Sequence, residues 1–405
     1  MWKRYWLFHA TDFQSLMYPC FTFCRILGIF PYKINASTFE ISKWYFILLT
    51  IITCACGICD LLIIHDCIFF YKSNLFDITK TLKFICYYTC NGFIMIITYI
   101  LSSPRMRLLQ TILKISSTLP PECYQKLSKL IHIKDIFGII LSIMQISIYF
   151  FKNHMLKLNY KDILSAMFIG YLTLLEFEIN MLYINCVCVL KACFKRLNEN
   201  IVHLQKLVVK RCVPKLIYHI QRNQLFLIQL KILQKQHLMI SDTVQKLNLI
   251  FSLQLHATIV MTFSGIIFEI YYHAVRWQNG IIHITFDMHF LDVLMSMTFY
   301  ILKIILIVWA CETGKNQAQE INTIIHDVLN STSNAQIKNE LQLFSLQILH
   351  CKNTFSIKGL TVDATLLITM VGGITTYMLV LIQFLIAGHS CDKKIEISIA
   401  NNSVI

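Results

Sequence analysis

Two carboxylates, Glu176 and Glu178, stand inside a long apolar run from Ile163 to Leu190. A charged group in such a run is costly to bury, so each is a candidate for ligand or ion contact, or for a structural ion pair. Positions i and i+2 of a helix point in different directions, so the two cannot share one acid–base site. Lys303 lies in another apolar run, Leu291 to Cys311, where it either pairs with a carboxylate or extends its ammonium toward the nearest interface. His283, Asp287 and His289 are close in sequence and carry metal-ligand atoms, but their spacing fits no established zinc pattern. Cys56 and Cys59 form a C-x-x-C within an apolar run, without a second pair or a redox fold around it. Hydrolase, phosphate-loop and dinucleotide signatures are absent from the chain. Neither an enzyme nor a metal or cofactor site is expected.

The elements that must position these residues follow from composition. Of 405 residues, 56% are hydrophobic and 14% charged, against about 25% charged in soluble domains. The apolar residues come in blocks long enough to cross a bilayer core, which takes about 20 residues per helix. Seven spans are predicted: Trp44–Ile64, Phe84–Leu101, Ile136–Phe151, Ile163–Leu190, Leu249–His273, Leu291–Cys311 and Thr365–Gly388. All are read as helices, because an open strand leaves its backbone unsatisfied in lipid. The fold class is therefore all-α and integral to the membrane.

The basic residues fall unevenly about these spans. The N-terminal segment and the second, fourth and sixth loops carry 26 of the 36 Lys and Arg, and the opposite side carries 9. The positive-inside rule predicts a cytoplasmic N-terminus and an extracellular C-terminus, the reverse of G-protein-coupled receptors. It also explains the net charge of +14 through a lipid bilayer, with no nucleic-acid partner. The start, Met1-Trp2-Lys3-Arg4, is followed by an apolar run broken by His9, Thr11 and Asp12, so no signal peptide is expected. Cysteines are read as packing residues, with Cys67 and Cys391 the one pair placed where a disulfide could form.

Loop four repeats Leu197, Ile201, Leu204 and Val208 at helical spacing, and loop six does the same with Ile321, Ile324, Ile325, Val328 and Leu329. Both are expected to prolong transmembrane helices into the cytoplasm and pack there. Polar and aromatic residues gather in the predicted outer halves of the spans: Tyr87, Tyr88 and Asn91, Gln145 and Tyr149, Tyr171, Thr173 and Glu176, Ser264 and Glu269, and Ser296 and Tyr300. Tyrosine offers an apolar face and one hydroxyl, so these positions could form a small-molecule pocket or pack between helices.

In the last span Gly373, Thr376 or Tyr377, Val380, and Gln383 or Phe384 share one stripe. Such a stripe suits a water-filled axis or a small-residue helix interface. Here the chain resembles the insect gustatory receptors, whose seventh helix carries Thr-Tyr, five mostly apolar residues, then Gln-Phe; Thr376-Tyr377 and Gln383-Phe384 match with the right spacing. Upstream, Phe344-Ser345-Leu346-Gln347, Phe355, Gly359-Leu360 and Asp363 are also similar to the family, as are Pro19, Arg25, Gly28 and Pro31 near the start.

The resemblance implies a ligand-gated cation channel of the plasma membrane, a homo- or hetero-tetramer opened by a small organic ligand. It implies that residues 1–43 are a cytoplasmic segment, 44–311 a six-helix bundle holding the pocket, 312–364 an assembly segment with Gln347 and Gly359, 365–388 the pore helix and 389–405 an extracellular tail. Phe384 would be an apolar gate and Gln383 a polar ring beside it. Many sweet-sensing members carry Glu after the Thr-Tyr pair, whereas this chain has Met378, which favours a bitter compound over a sugar. The rival reading is a seven-helix receptor that signals through a cytoplasmic partner at basic loop four and conducts nothing.

Overall fold

The computed structural model describes residues 8–35, 38–69, 75–155, 160–209, 216–278, 288–332, 334–357 and 359–402. The chain opens with α1 (Phe13–Ile26), whose start is fixed by a reciprocal cap: Asp12 accepts from the Ser15 amide at 2.8 Å, and the Ser15 hydroxyl accepts from the Asp12 amide at 3.1 Å. Its buried face reads Phe13, Leu16, Met17, Cys20, Phe21 and Cys24, the spacing of one helical stripe. This stripe packs on α5 and α6. Gly28, at φ +74°, ends the helix in a conformation that glycine adopts without strain. A hairpin of β1 (Tyr32–Asn35) and β2 (Thr38–Ile41) follows, pairing Tyr32 with Ile41.

Next come α2 (Lys43–Phe69), α3 (Leu75–Ile100), α4 (Ser102–Ser116), α5 (Pro121–Met155), α6 (Tyr160–Val209), α7 (Leu216–Gln278), α8 (Met288–Ser331), α9 (Ala335–His350), the short strands β3 (Ser356–Ile357) and β4 (Leu360–Thr361), and α10 (Ala364–Asn402). Among the described residues, α2, α3, α5, α6, α7, α8 and α10 are long and apolar enough to cross a membrane. They contain the seven predicted spans, save Leu101, which lies one residue past the end of α3.

Helix α6 is the axis of the bundle. From Leu172 to Leu190 nearly every side chain is buried, polar ones included, because α1, α4, α5, α7 and α8 surround it. Helices α2 and α10 lie at the periphery with many large apolar side chains exposed, among them Leu61, Leu62, Ile368 and Val371. In a membrane protein that surface is one for lipid or for other subunits.

Beyond the spans, α6 and α8 continue as expected. Leu197, Ile201 and Leu204 are buried with Ile321, Ile325 and Val328, and Asn198 donates to the Gln317 carbonyl at 3.1 Å and to Glu320 at 3.2 Å. Helix α9 adds Ile337, Leu341 and Phe344 to this core.

Beyond residue 388, α10 runs on as helix through Asn402. Two expectations need correction. The second connection is not a loop: α4 and the start of α5 fill it, and α4 buries Leu108, Leu109, Ile112 and Ile115 on one face. Cys67 holds a free thiol. His283 and Asp287, and the side chains of His289 and Cys391, lie outside the described residues.

A candidate ligand cavity and a candidate pore helix

Five helices enclose a cavity of about 330 Å³. From α3 come Thr79, Lys80, Lys83, Phe84 and Tyr87; from α5, Gln145 and Tyr149; from α6, Ile169 and Thr173. Helix α7 contributes Met261, Ser264, Gly265, Phe268, Glu269, Tyr272 and His273, and α8 adds Asp292, Val293, Ser296 and Tyr300. On α3 and α7 these positions recur every three or four residues, as one face of a helix must.

The wall is braced by polar contacts. Lys83 and Glu269 form an ion pair between α3 and α7. The Tyr87 hydroxyl shares a hydrogen bond with Thr173 at 2.8 Å, tying α3 to α6. The Ser264 hydroxyl meets the Cys86 thiol at 3.1 Å. Gly265 lets α7 approach the Tyr300 ring, since a Cβ at this position would stand 3.1 Å from a ring carbon.

One helical turn from Tyr300 on α8 lies Lys303. Its ammonium meets both oxygens of Glu176, at 2.8 and 3.0 Å, and stands over the Phe299 and Tyr300 rings at 5.4 and 5.5 Å. Asn180 donates to the same carboxylate at 3.2 Å, and Thr258 donates to Asn180 at 3.4 Å. Glu176 and Glu178 are thus held apart as helical geometry requires. Glu178 faces the cysteines of α1 and the Lys134–Asp135 pair.

Of the predicted pocket positions, Tyr87, Gln145, Tyr149, Thr173, Ser264, Glu269, Ser296 and Tyr300 line the cavity. The other four serve the packing. Tyr88 is buried with its hydroxyl 3.5 Å from Ser165, Asn91 donates to Met261 at 3.2 Å, Tyr171 donates to the Leu27 carbonyl at 3.0 Å, and Glu176 belongs to the ion pair. Sequence reasoning missed Lys83, Phe268, His273 and Asp292. The signal that could have found the first two is their helical register with Tyr87 and with Ser264.

Helix α10 packs on α7 and α8 through Leu366, Met370, Ile374 and Met378. The Tyr377 ring meets Phe263 edge-on at 6.0 Å yet stays largely exposed. Thr376, Val380, Gln383 and Phe384 are also exposed, Phe384 by 72%. The start of α10 is fixed from α8: Lys315 reaches Asp363 at 3.5 Å, and Asp363 accepts from the Thr365 amide at 3.2 Å. The Thr365 hydroxyl first, then Thr361 and Lys315, hold the Asp363 carboxyl below the usual carboxylate range. Before it, Gly359 takes φ +93° in the β3–β4 turn. Gln347 on α9 donates to the Gln234 carbonyl at 2.9 Å and approaches His237 Nδ1 at 3.2 Å, joining α9 to α7.

Seven spanning helices among the described residues, one of them buried at the axis of the bundle and two prolonged beyond the membrane into a second packed layer, define a multi-pass membrane protein. The family described as 7tm chemosensory receptor matches residues 17–388, and the chain belongs to that family. It is accordingly a receptor of the plasma membrane, not an enzyme. Two Drosophila melanogaster proteins named as gustatory receptors are similar: 28b at 31% identity over 155 residues and 28a at 30% over 161. These matches span 36% and 39% of this chain, and only about a third of each relative's length, 32% and 36%. Among solved structures, the insect olfactory receptor OR5 from Machilis hrabei shares the fold, with a TM-score of 0.67 over 92% of this chain and 98% of that one at 13% identity. The same receptor in complex with eugenol gives 0.68.

Proposed function

We propose that this chain is a gustatory receptor that works as a ligand-gated, non-selective cation channel, opened by a small organic tastant of the bitter class. The observation that carries the reading is the exposed stripe Thr376, Val380, Gln383 and Phe384 on a helix whose opposite face packs against α7 and α8. Lipid does not solvate the Gln383 amide or the Thr376 hydroxyl, so such a stripe suits an aqueous axis shared among subunits. In this reading four copies of α10, residues 365–388, surround the pore, in a homo- or hetero-tetramer held by residues 312–364 with Gln347 and Gly359. Phe384 closes the pore by excluding water, and Gln383 hydrates the passing cation. In this reading the N-terminal segment and even-numbered loops lie in the cytoplasm and the C-terminus outside, which their basic excess supports.

The ligand enters the cavity of the bundle, residues 44–311. A volume of about 330 Å³ lies in the range of small organic ligands. Gln145 Oε1 is buried without a hydrogen-bond partner among the described residues, so a ligand with a donor satisfies it. The eugenol complex of the structurally similar olfactory receptor supports a small organic occupant. Opening requires that the ligand bind the open state more tightly than the closed one.

The test is whole-cell current from cells expressing this chain, wild type against Phe384→Ala, under a panel of bitter compounds and sugars. Ligand-evoked current, or leak from the variant, that vanishes when permeant cations are replaced supports the pore. Silence from both at the cell surface favours an obligate partner subunit or a receptor that signals without conducting.

A further inference from the structure

We propose that Cys20, Cys24 and Glu178 form a zinc-binding site buried between α1 and α6. Their ligand atoms, two thiol sulfurs and a carboxylate oxygen, all lie within 4.8 Å of one another. All three residues are nearly inaccessible, at 1%, 1% and 2% exposure. Cys20 and Cys24 stand four residues apart on the buried face of α1, so both sulfurs project to the same side. Glu178 Oε1 has no hydrogen-bond partner among the described residues. A carboxylate oxygen buried without a partner is expensive, and an ion between it and the two sulfurs removes that cost.

The donor set selects the metal. Calcium and magnesium take oxygen ligands, and copper(I) prefers sulfur alone. Two thiolates with a carboxylate oxygen suit zinc, which accepts mixed sulfur and oxygen ligands in a tetrahedron. Three protein ligands leave the fourth place of the tetrahedron open. Binding expels the two thiol protons, so affinity rises with pH. Two thiolates and one carboxylate carry three negative charges, and zinc leaves one. The guanidinium of Arg105 lies in electrostatic reach of Cys24, is itself buried, and bonds a neutral amide, Gln254, at 3.2 Å. It offsets the remaining charge. The bound ion would then fasten the N-terminal helix to the axial helix of the bundle.

The experiment uses the full-length receptor purified in lipid nanodiscs, stripped with a chelator and reloaded with zinc or cobalt(II). The expected result is about one zinc per chain, a sulfur-to-cobalt charge-transfer absorption, and a higher Tm with zinc. Cys24→Ser should weaken the absorption and abolish the zinc-dependent rise in Tm. Glu178→Gln should keep the absorption while weakening zinc binding about tenfold or more. A folded wild-type receptor that takes up no zinc, or shows no sulfur-to-cobalt band, overturns the site without any variant. Uptake unchanged in both variants overturns it too, since the metal then sits elsewhere.

Discussion

Lys303 and Glu176 form a two-pronged ion pair across α8 and α6, with side-chain exposures of only 1% and 2%. Such a pair adds little net stability over an apolar replacement, but breaking it strands a charge. Lys303→Met should therefore cost about 3–5 kcal/mol, seen as a lower Tm and less receptor at the surface. Adding Glu176→Leu to that variant should restore most of the loss. A double variant as unstable as the sum of the two singles contradicts the pairing.

The narrow approach of α7 to Tyr300 at Gly265 makes a steric test of the cavity. Gly265→Val must push the Tyr300 ring toward the space between the helices. A response to a ligand seated there should need about tenfold more compound, at unchanged surface amount. A dose–response curve that does not move places the ligand elsewhere.

Gln347 is the polar link between α9 and α7. Gln347→Ala removes the side-chain donor at the Gln234 carbonyl and at His237 Nδ1, at a cost of about 1–3 kcal/mol. The loss should show as a smaller fraction of assembled receptor on sizing in detergent. Gln347→Glu should not rescue it, because an ionised carboxylate donates no hydrogen bond.

Asp363 holds the first turn of α10 as an anion. Because its folded pKa lies below the ordinary 3.8, the stabilisation is complete above that value and disappears only as pH falls through the lowered pKa. Across neutral pH the cap is constant. Asp363→Asn, which keeps a capping oxygen but loses the charge facing Lys315, should alter gating of the proposed channel while leaving the fold intact; Asp363→Ala should cost about 1 kcal/mol more broadly. Comparing the two in thermal melts and in current recordings separates cap from charge.

Orientation has its own readout. Asn330-Ser331-Thr332 at the end of α8 and Asn35-Ala36-Ser37 after α1 are glycosylation sequons on the side assigned to the cytoplasm. Both should remain unmodified when the chain is made in insect cells, by mass spectrometry of the tryptic peptides. A glycan on either one reverses the topology.

The parts of this fold legible in sequence are those written in long periods. Seven apolar blocks gave the spans, and the stripes at Leu197–Leu204 and Ile321–Val328 gave the extensions, because helical burial repeats every three or four residues. Helix α4 was hidden by its charge: Arg105 sits on its buried face, where a basic residue reads as loop. Within the cavity, polar residues could be assigned to outer halves of spans but not to a side. Asn91 and Tyr171 are as polar as Gln145 and Ser296, and only the rotation of each helix decides which face the cavity. Lys83 falls one residue before the predicted span Phe84–Leu101 and reads as a loop charge, because its partner, Glu269, is 186 residues away. The closeness of Cys20 and Cys24 to Glu178 is likewise a product of tertiary packing.

Helix α7 is continuous over 63 residues, about 95 Å at 1.5 Å per residue. Ser264 on its cavity stretch and Gln234 beside α9 are separated by about 45 Å of unbroken helix. A stiff rod of that length works as a lever: a tilt of about one degree at the cavity swings the far end by about 0.8 Å. A shift too small to see at the cavity can therefore arrive, magnified, at the far end of the helix beside α9.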